Sequence, residues 1–359
     1  MNLQTPNTLA PRNKCLHPEL KRYMESLGNL VAAYQPSLFW ERELDNSLIS
    51  GLIEDIHGKT EQEIVEGICS LRYGFTDLPE GCSQPDRQEA FQQAWQLWQT
   101  LDQKQKAIRK ELKQDANLLE HAQGLRFLDR QGLLEDYVNA LAKLRITSSF
   151  SNVRHFYYAR LIQQISNERW PGQTHDFLEI GAGAGNLAVF LKNFGLVQSY
   201  TIVDLPEMLV NAAYTITNYL PEYDIRFCAE NNEFTPAKQT ASFIPASHLN
   251  VLNGSFFSIA LNFNSFMEMD KQAIDGYFNL IYRCCKPKSL FLNVNRRQRA
   301  LPQRDGTSFD NNPLFYPYRP TDQVLQWEED VLQQVMRSGY GVVPSLVVIR
   351  AALISPDAS

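Results

Sequence analysis

Apolar and polar positions follow two different periods along this chain, and the change falls near residue 170. Before it the period is helical. Over 88–122, Ala94, Trp98, Leu101, Ile108 and Leu112 recur at spacings of about four and three, which gathers them on one face of a helix. Gln105 interrupts that stripe. Trp95 and Trp98 are read as core residues, 77–87 as a loop by its prolines and glycine, and 153–165 as a second helix. From 176 onward short apolar runs take over. Strands are expected at 177–180, 199–205, 255–263 and 289–295, and helices at 187–193, 206–220, 271–284 and 321–337, before two β-rich pieces around 341–353. Pro206 opens the second of these helices, where its missing N–H costs nothing. Between 224 and 250 both DIRFCAE and SFIPASH suit a third strand, and the second is favoured, with the first as an extra strand or irregular segment. Strands alternating with helices predict an α/β domain over 146–359 with a mostly parallel sheet covered on both faces, preceded by a helical N-terminal domain over 1–145.

Composition narrows the partners more than the fold. Hydrophobic content of 44% and charged content of 21% are ordinary for a globular protein. A net charge of −6 supplies no basic field for a phosphate backbone, so nucleic acid is not expected as a partner. Arg296, Arg297 and Arg299 form a local basic patch, read as a solvated loop. The six cysteines form no CxxC pair, which suits idle thiols in a reducing cytosol. With no apolar leader at the N-terminus and no run of roughly 20 apolar residues, a cytoplasmic protein without a membrane partner is expected.

The stretch FLEIGAGAGNLAVF, 177–190, carries the chemistry. In an open parallel sheet the ligand sits beyond the carboxyl ends of the strands, and a glycine turn after the first strand lets the backbone come close to it. Dinucleotides and S-adenosylmethionine both use this design. The dinucleotide fingerprint requires glycine at 181, 183 and 186; here Gly181 and Gly183 are present, the third glycine is Gly185, and position 186 is Asn. Asp204 ends the second strand about twenty residues later, where a carboxylate accepts both ribose hydroxyls of an adenosine in either ligand class.

Taken together, LEIGAGAGNLA, YTIVDLPEML and SFMEM resemble the class I S-adenosylmethionine-dependent methyltransferases, and most closely the bacterial sugar O-methyltransferases, over roughly residues 145–300. The resemblance implies a Rossmann-like sheet with S-adenosyl-L-methionine as cofactor. It assigns Glu179 and the turn Gly181, Ala182, Gly183 and Gly185 to the methionine half, Asp204 to the ribose and Leu205 to the adenine. Ser247 and His248 stand where many members carry an adenine-reading acid, and Asn262 and Asn264 are assigned to the sulfonium side. Residues 262–265 read NFNS in place of the NPPY-type signature of amino-methylating nucleic-acid enzymes, so oxygen is the expected acceptor atom.

An aliphatic hydroxyl needs a base before it attacks a methyl carbon. Glu268, past the fourth strand among Phe266, Met267 and Met269, is the leading general base, at a place where related small-molecule O-methyltransferases carry histidine. His155, in NVRHFYYAR, is a second base or a substrate contact, and Tyr157, Tyr158 and Arg160 are placed to reach the methionine carboxylate. Asp310 is a further substrate contact. No His and acid set has metal-ligand spacing, so metal-free catalysis is expected. The expected function is methyl transfer to a hydroxyl of a sugar or sugar-containing small molecule (nucleotide sugar, glycan or natural product), with the N-terminal helices as a dimer contact or a lid. The alternatives are a non-sugar natural-product O-methyltransferase, a nicotinamide-dependent oxidoreductase, and a cofactor-binding fold without turnover.

Overall fold

The computed structural model describes residues 16–32, 56–70, 85–100, 116–228, 234–302, 306–337 and 346–354. Among the described residues six α-helices come first: α1 Pro18–Ala32, α2 Glu61–Ser70, α3 Pro85–Thr100, α4 Ala116–Arg130, α5 Leu134–Leu144 and α6 Phe150–Arg169. Leu101, Ile108 and Leu112 of the expected 88–122 stripe lie outside the described residues, as does most of the 77–87 loop. Ala94 and Trp95 are buried, and Trp95 meets Trp98 edge-on at 5.0 Å.

The remaining elements alternate. Strand β1 His175–Ile180 leads to α7 Asn186–Asn193, β2 Val197–Asp204 and α8 Pro206–Tyr219, then to β3 Asp224–Phe227, β4 Thr240–Pro245 and β5 Phe257–Phe263. Helix α9 Lys271–Cys284 follows, then β6 Cys285–Arg296, the hairpin β7 Arg299–Pro302 with β8 Ser308–Asn311, β9 Gln323–Glu329, α10 Val331–Arg337 and β10 Val347–Ile354. One sheet of eight strands runs β3-β4-β2-β1-β5-β6-β10-β9. Its first six strands are parallel, while β10 is antiparallel to both β6 and β9. β1 is buried along its whole length, as a strand covered on both faces must be.

Each element follows from local chemistry. Ser149 caps α6 by accepting from the Asn152 N–H, Asp270 caps α9 by accepting from the Ala273 N–H, and Pro206 occupies the first turn of α8. Alternate residues of the strands feed two cores. Leu178, Ile180, Val203, Ala260 and Phe291 pack with α9, and Phe177, Tyr200, Ile202, Leu261 and Leu292 pack with α6, α7 and α8. That second core is continuous with Leu20, Met24, Ile64, Phe91, Leu125 and Tyr137 of the N-terminal helices.

The expectations for 224–250 and 321–337 resolve differently. SFIPASH supplies the central β4, and DIRFCAE supplies β3, an additional strand on the edge beside it. The single helix expected over 321–337 is instead β9 followed by α10. Residues of β9 are mostly exposed, so no alternating pattern marks them; pairing with β10 makes the strand, a tertiary choice over a local one. Of the two β-rich pieces expected around 341–353, the described one is β10.

Candidate active site

The strand order steps β1, β2, β4 one way and β5, β6 the other, so the direction reverses between β1 and β5. At that switch the carboxyl ends of neighbouring strands diverge and leave a crevice for a ligand. Ile180 pairs with Asn262 there, and Asn262 with Asn293 of β6. Five strand ends converge on this edge, bringing Gly181, Asp204, Ser247, Glu268 and Arg296 to one side of the sheet.

The glycine turn has left-handed backbone at Gly181, Gly183 and Gly185, with φ of 72°, 56° and 75°, conformations that a side chain would strain. Two of the three glycines also meet protein. A Cβ on Gly181 would stand 2.2 Å from Ser265 Oγ, and one on Gly185 would stand 3.2 Å from Ala212 Cα in α8. Asp204 closes the turn from below. Its Oδ2 accepts from the Gly183 N–H at 3.1 Å and its Oδ1 from the Leu205 N–H at 2.8 Å. A carboxylate has about four acceptor positions, and the Ala182 N–H reaches it as well, so Asp204 keeps capacity for one further donor. Burial pushes its pKa up to about 7 against the lowering effect of those N–H groups. Glu179 lies fully buried one strand over, accepting from Tyr200 OH at 2.7 Å, and burial lifts it to about 7 as well. Ala182 is partly buried in the turn, and Leu205 caps α8.

The second part of the site is the short 3-10 turn Phe266–Glu268 after β5. Glu268 is only 5% exposed and faces Arg299 Nη1 at 3.2 Å. Burial pushes Glu268 up to about 7; Arg299 and Arg296 oppose the rise, and the charge of Asp204 adds to it. A buried amide network holds this turn. Asn262 donates to the Ile180 carbonyl at 2.9 Å and accepts from Asn295 at 2.7 Å, while Asn295 Oδ1 accepts from the Met267 N–H at 3.0 Å. Asn311 donates to the Phe266 and Met269 carbonyls at 2.7 and 2.9 Å, and Tyr316 OH donates to Asn311 at 2.6 Å.

The remaining sequence-predicted residues fall in several settings. Ser247 and His248 bond to each other at 2.8 Å in a 3-10 turn at the carboxyl end of β4. Asn264 has a left-handed φ of 58° and accepts from Gln333 at 3.4 Å. His155 is half-buried on α6. The residues assigned to the methionine carboxylate have other partners: Tyr158 OH donates to Asp330, and Arg160 pairs with Asp136 at 3.0 Å. Asp310 accepts from Gln298 at 3.2 Å within the β7–β8 hairpin. The basic patch is not a solvated loop. Arg296 ends β6, Arg299 lies in β7 against Glu268, and Arg297 is 3.8 Å from Glu329. Sequence reasoning placed Asn262 at the site, read Arg299 only as part of a solvated loop, and missed Asn293, Asn295 and Asn311. The signal for the asparagines was LFLNVN, in which two amides two residues apart break a run that a doubly covered strand fills with apolar side chains.

Among the described residues no group of three or more His, Cys, Asp or Glu is placed to hold a metal ion, and no helix is long and apolar enough to cross a membrane.

Fold and edge together define an open, doubly wound α/β sheet of Rossmann-like type, with buried carboxylates gathered at its switch point. No family model matches the chain, and no curated protein matches it. Solved structures similar to part of it include a TehB-like SAM-dependent methyltransferase from Corynebacterium glutamicum, at 13% identity over 55% of this chain and 86% of that one, with a TM-score of 0.34. Magnesium protoporphyrin IX methyltransferase from Synechocystis is 9% identical over 57% of this chain and 81% of its own, with a TM-score of 0.36. The N-methyltransferase NodS from Bradyrhizobium japonicum is 11% identical over 55% and 87%, also with a TM-score of 0.36. At this similarity the residue assignments rest on the geometry above.

Proposed function

We propose that the chain transfers a methyl group from S-adenosylmethionine to a hydroxyl oxygen of a sugar or sugar-containing small molecule, with Glu268 as general base. The observation that carries this reading is the placing of two buried carboxylates, Asp204 and Glu268, within electrostatic range of each other across the strand-order switch. One suits a ribose and the other a reacting hydroxyl.

The residues present fit the cofactor. Gly183, Leu205 and Ala182 orient Asp204 through their N–H groups while leaving it acceptor capacity for a ribose hydroxyl. Beside it the left-handed glycine turn presents backbone without side chains. When bound, the cofactor supplies a methyl carbon activated by a positive sulfur. The chain's own part is to bind, align and remove a proton. Glu268, held near neutrality by burial, is partly ionised at pH 7 and ready to accept a hydroxyl proton. Arg299 steadies its carboxylate, and Asn262, Asn295 and Asn311 fix the turn that carries it. Alignment of this kind is the larger share of what a methyl transfer asks of a protein. The sugar acceptor rests on the motif resemblance. The helices before residue 145 serve as a lid in this reading, since Tyr23 OH of α1 donates to the Pro206 carbonyl at 2.9 Å, two residues beyond Asp204.

The test is calorimetric and chemical. The full chain should bind S-adenosylhomocysteine and not NAD or NADP, and should pass label from isotope-marked S-adenosylmethionine to a component of a small-molecule extract, read by mass spectrometry. Tight NAD binding with no response to S-adenosylhomocysteine would refute the reading.

A further inference from the structure

Three arginines gather beyond the carboxyl end of β6. Arg296 ends that strand, Arg299 follows in β7, and Arg337 ends α10. Two of them have carboxylate partners: Arg299 faces Glu268 at 3.2 Å, and Arg337 Nε lies 3.7 Å from Glu120 of α4. Arg296 lies within charge range of all four of these groups, so five charges share one region. Its Nε is buried and has no hydrogen-bond partner, a state that proteins usually avoid. Among the described residues, three positive charges stand against two negative ones, an excess of one. The excess becomes two whenever Glu268 holds a proton, which burial favours up to about pH 7.

The position of the excess matters as much as its sign. In sheet order, β6 stands two strands from β1, or roughly 10 Å at the usual strand spacing. The ribose acid and glycine turn belong to β2 and β1, so Arg296 lies on the far side of Glu268 from them. A group bound there belongs to the molecule that presents its hydroxyl to Glu268. Guanidinium groups pair with carboxylate and phosphate oxygens through parallel N–H donors.

We propose that Arg296, flanked by Arg299 and Arg337, binds an anionic group of the methyl acceptor, a carboxylate or a phosphate, and so turns the acceptor's hydroxyl toward Glu268. This rests on the methyltransferase reading above and narrows its acceptor to an acidic or phosphorylated molecule. Arg296 is then a specificity residue.

The experiment uses the full chain saturated with S-adenosylhomocysteine and titrates it calorimetrically with glucuronate, glucose 1-phosphate and glucose. At least one anionic probe should bind tenfold or more tightly than glucose, with an advantage that shrinks as salt is raised. Preference for glucuronate assigns a carboxylate, and preference for glucose 1-phosphate assigns a phosphate. Arg296→Gln should remove the advantage while leaving S-adenosylhomocysteine affinity within twofold, and Arg296→Lys should recover most of it. Equal binding of charged and uncharged probes, no binding of any probe, or an advantage that survives in Arg296→Gln overturns the proposal. A loss of S-adenosylhomocysteine affinity in Arg296→Gln with anion binding intact also overturns it, by moving Arg296 to the cofactor. If Arg296→Gln does not fold, the comparison of probes on the parent chain and on Arg296→Lys decides. If the parent chain does not bind S-adenosylhomocysteine at all, the methyltransferase reading fails separately, and the same titrations without it still decide the anion site.

Discussion

Arg299 Nη1 stands 3.2 Å from Glu268 Oε1, with side chains only 16% and 7% exposed. The two influences on Glu268 oppose each other, and desolvation outweighs the arginine, leaving the carboxyl at about 7. A base must be ionised to act, so kcat/KM should rise with pH through about 7 and level above it. Arg299→Gln removes an opposing charge of a size that usually moves a pKa by about 1–3. The acid limb of the profile should therefore move upward in that variant. A profile that stays in place gives Arg299 no part in setting the base.

Glu268→Gln keeps the size of the side chain and loses the proton acceptor. Turnover at saturating substrate should fall by roughly 10²–10⁴-fold, with S-adenosylhomocysteine affinity nearly unchanged and the remaining rate flat across pH 6–8. If turnover stays within a few-fold of the parent, Glu268 is structural, and His155 on α6 becomes the base to examine.

The same carboxyl gives a stability test. The pKa of Glu268 in the folded chain is about 7 against an ordinary 4.5, so the folded state holds this proton more tightly than the unfolded state. Its contribution is therefore most favourable below about 4.5, is lost as pH rises toward 7, and is constant above. Chemical denaturation of the parent and of Glu268→Gln should show the parent losing ground to the variant across that window. A stability difference independent of pH would mean that folding leaves the pKa of Glu268 unshifted.

Asp204 has two duties that one substitution separates. Asp204→Ala removes the acceptor of the Gly183 and Leu205 N–H groups and the expected ribose contact together. It should cost on the order of 1.5–3 kcal/mol in S-adenosylhomocysteine affinity and lower Tm as well. Asp204→Asn keeps one acceptor oxygen and should restore Tm more than affinity. Parallel losses in both variants would reduce Asp204 to a turn cap.

Gly181→Ala meets both a left-handed φ of 72° and Ser265 Oγ at 2.2 Å from the new Cβ. Strain of this kind costs roughly 1–2 kcal/mol, and the clash adds to it. Ser265→Gly on that background relieves only the clash, so thermal melts should show partial recovery. Full recovery would mean that the backbone conformation is of no consequence.

The Rossmann-like sheet was legible because β1, β2 and β5 are short apolar runs closed by turn signals, and because a glycine-rich turn and Asp204 stand at recognisable offsets. The glycine motif was legible in part. Its spacing pointed to close approach, yet Gly181 and Gly185 are approached by Ser265 and Ala212, neighbours that only the fold brings together. Glu268 could be located by its place after a strand, whereas its partner could not. Arg299 is 31 residues further on, in a hairpin with little apolar content, so in the sequence it belongs to a charged run. Strand β9 was hidden for a related reason, since its identity resides in the hydrogen bonds of β10.

Tyr23 meets the Pro206 carbonyl across 183 positions of chain, and this has a consequence for synthesis. Helix α1 leaves the ribosome with Leu20, Met24 and Leu27, all wholly covered in the finished protein, still facing water. At 5–20 residues per second, its seat beside α8 and β3 is made only about 10–40 s later. During that interval the helix is an apolar surface without a mate, the kind of surface that holding chaperones bind. The helix is made well before the elements it packs on, and it must wait for them.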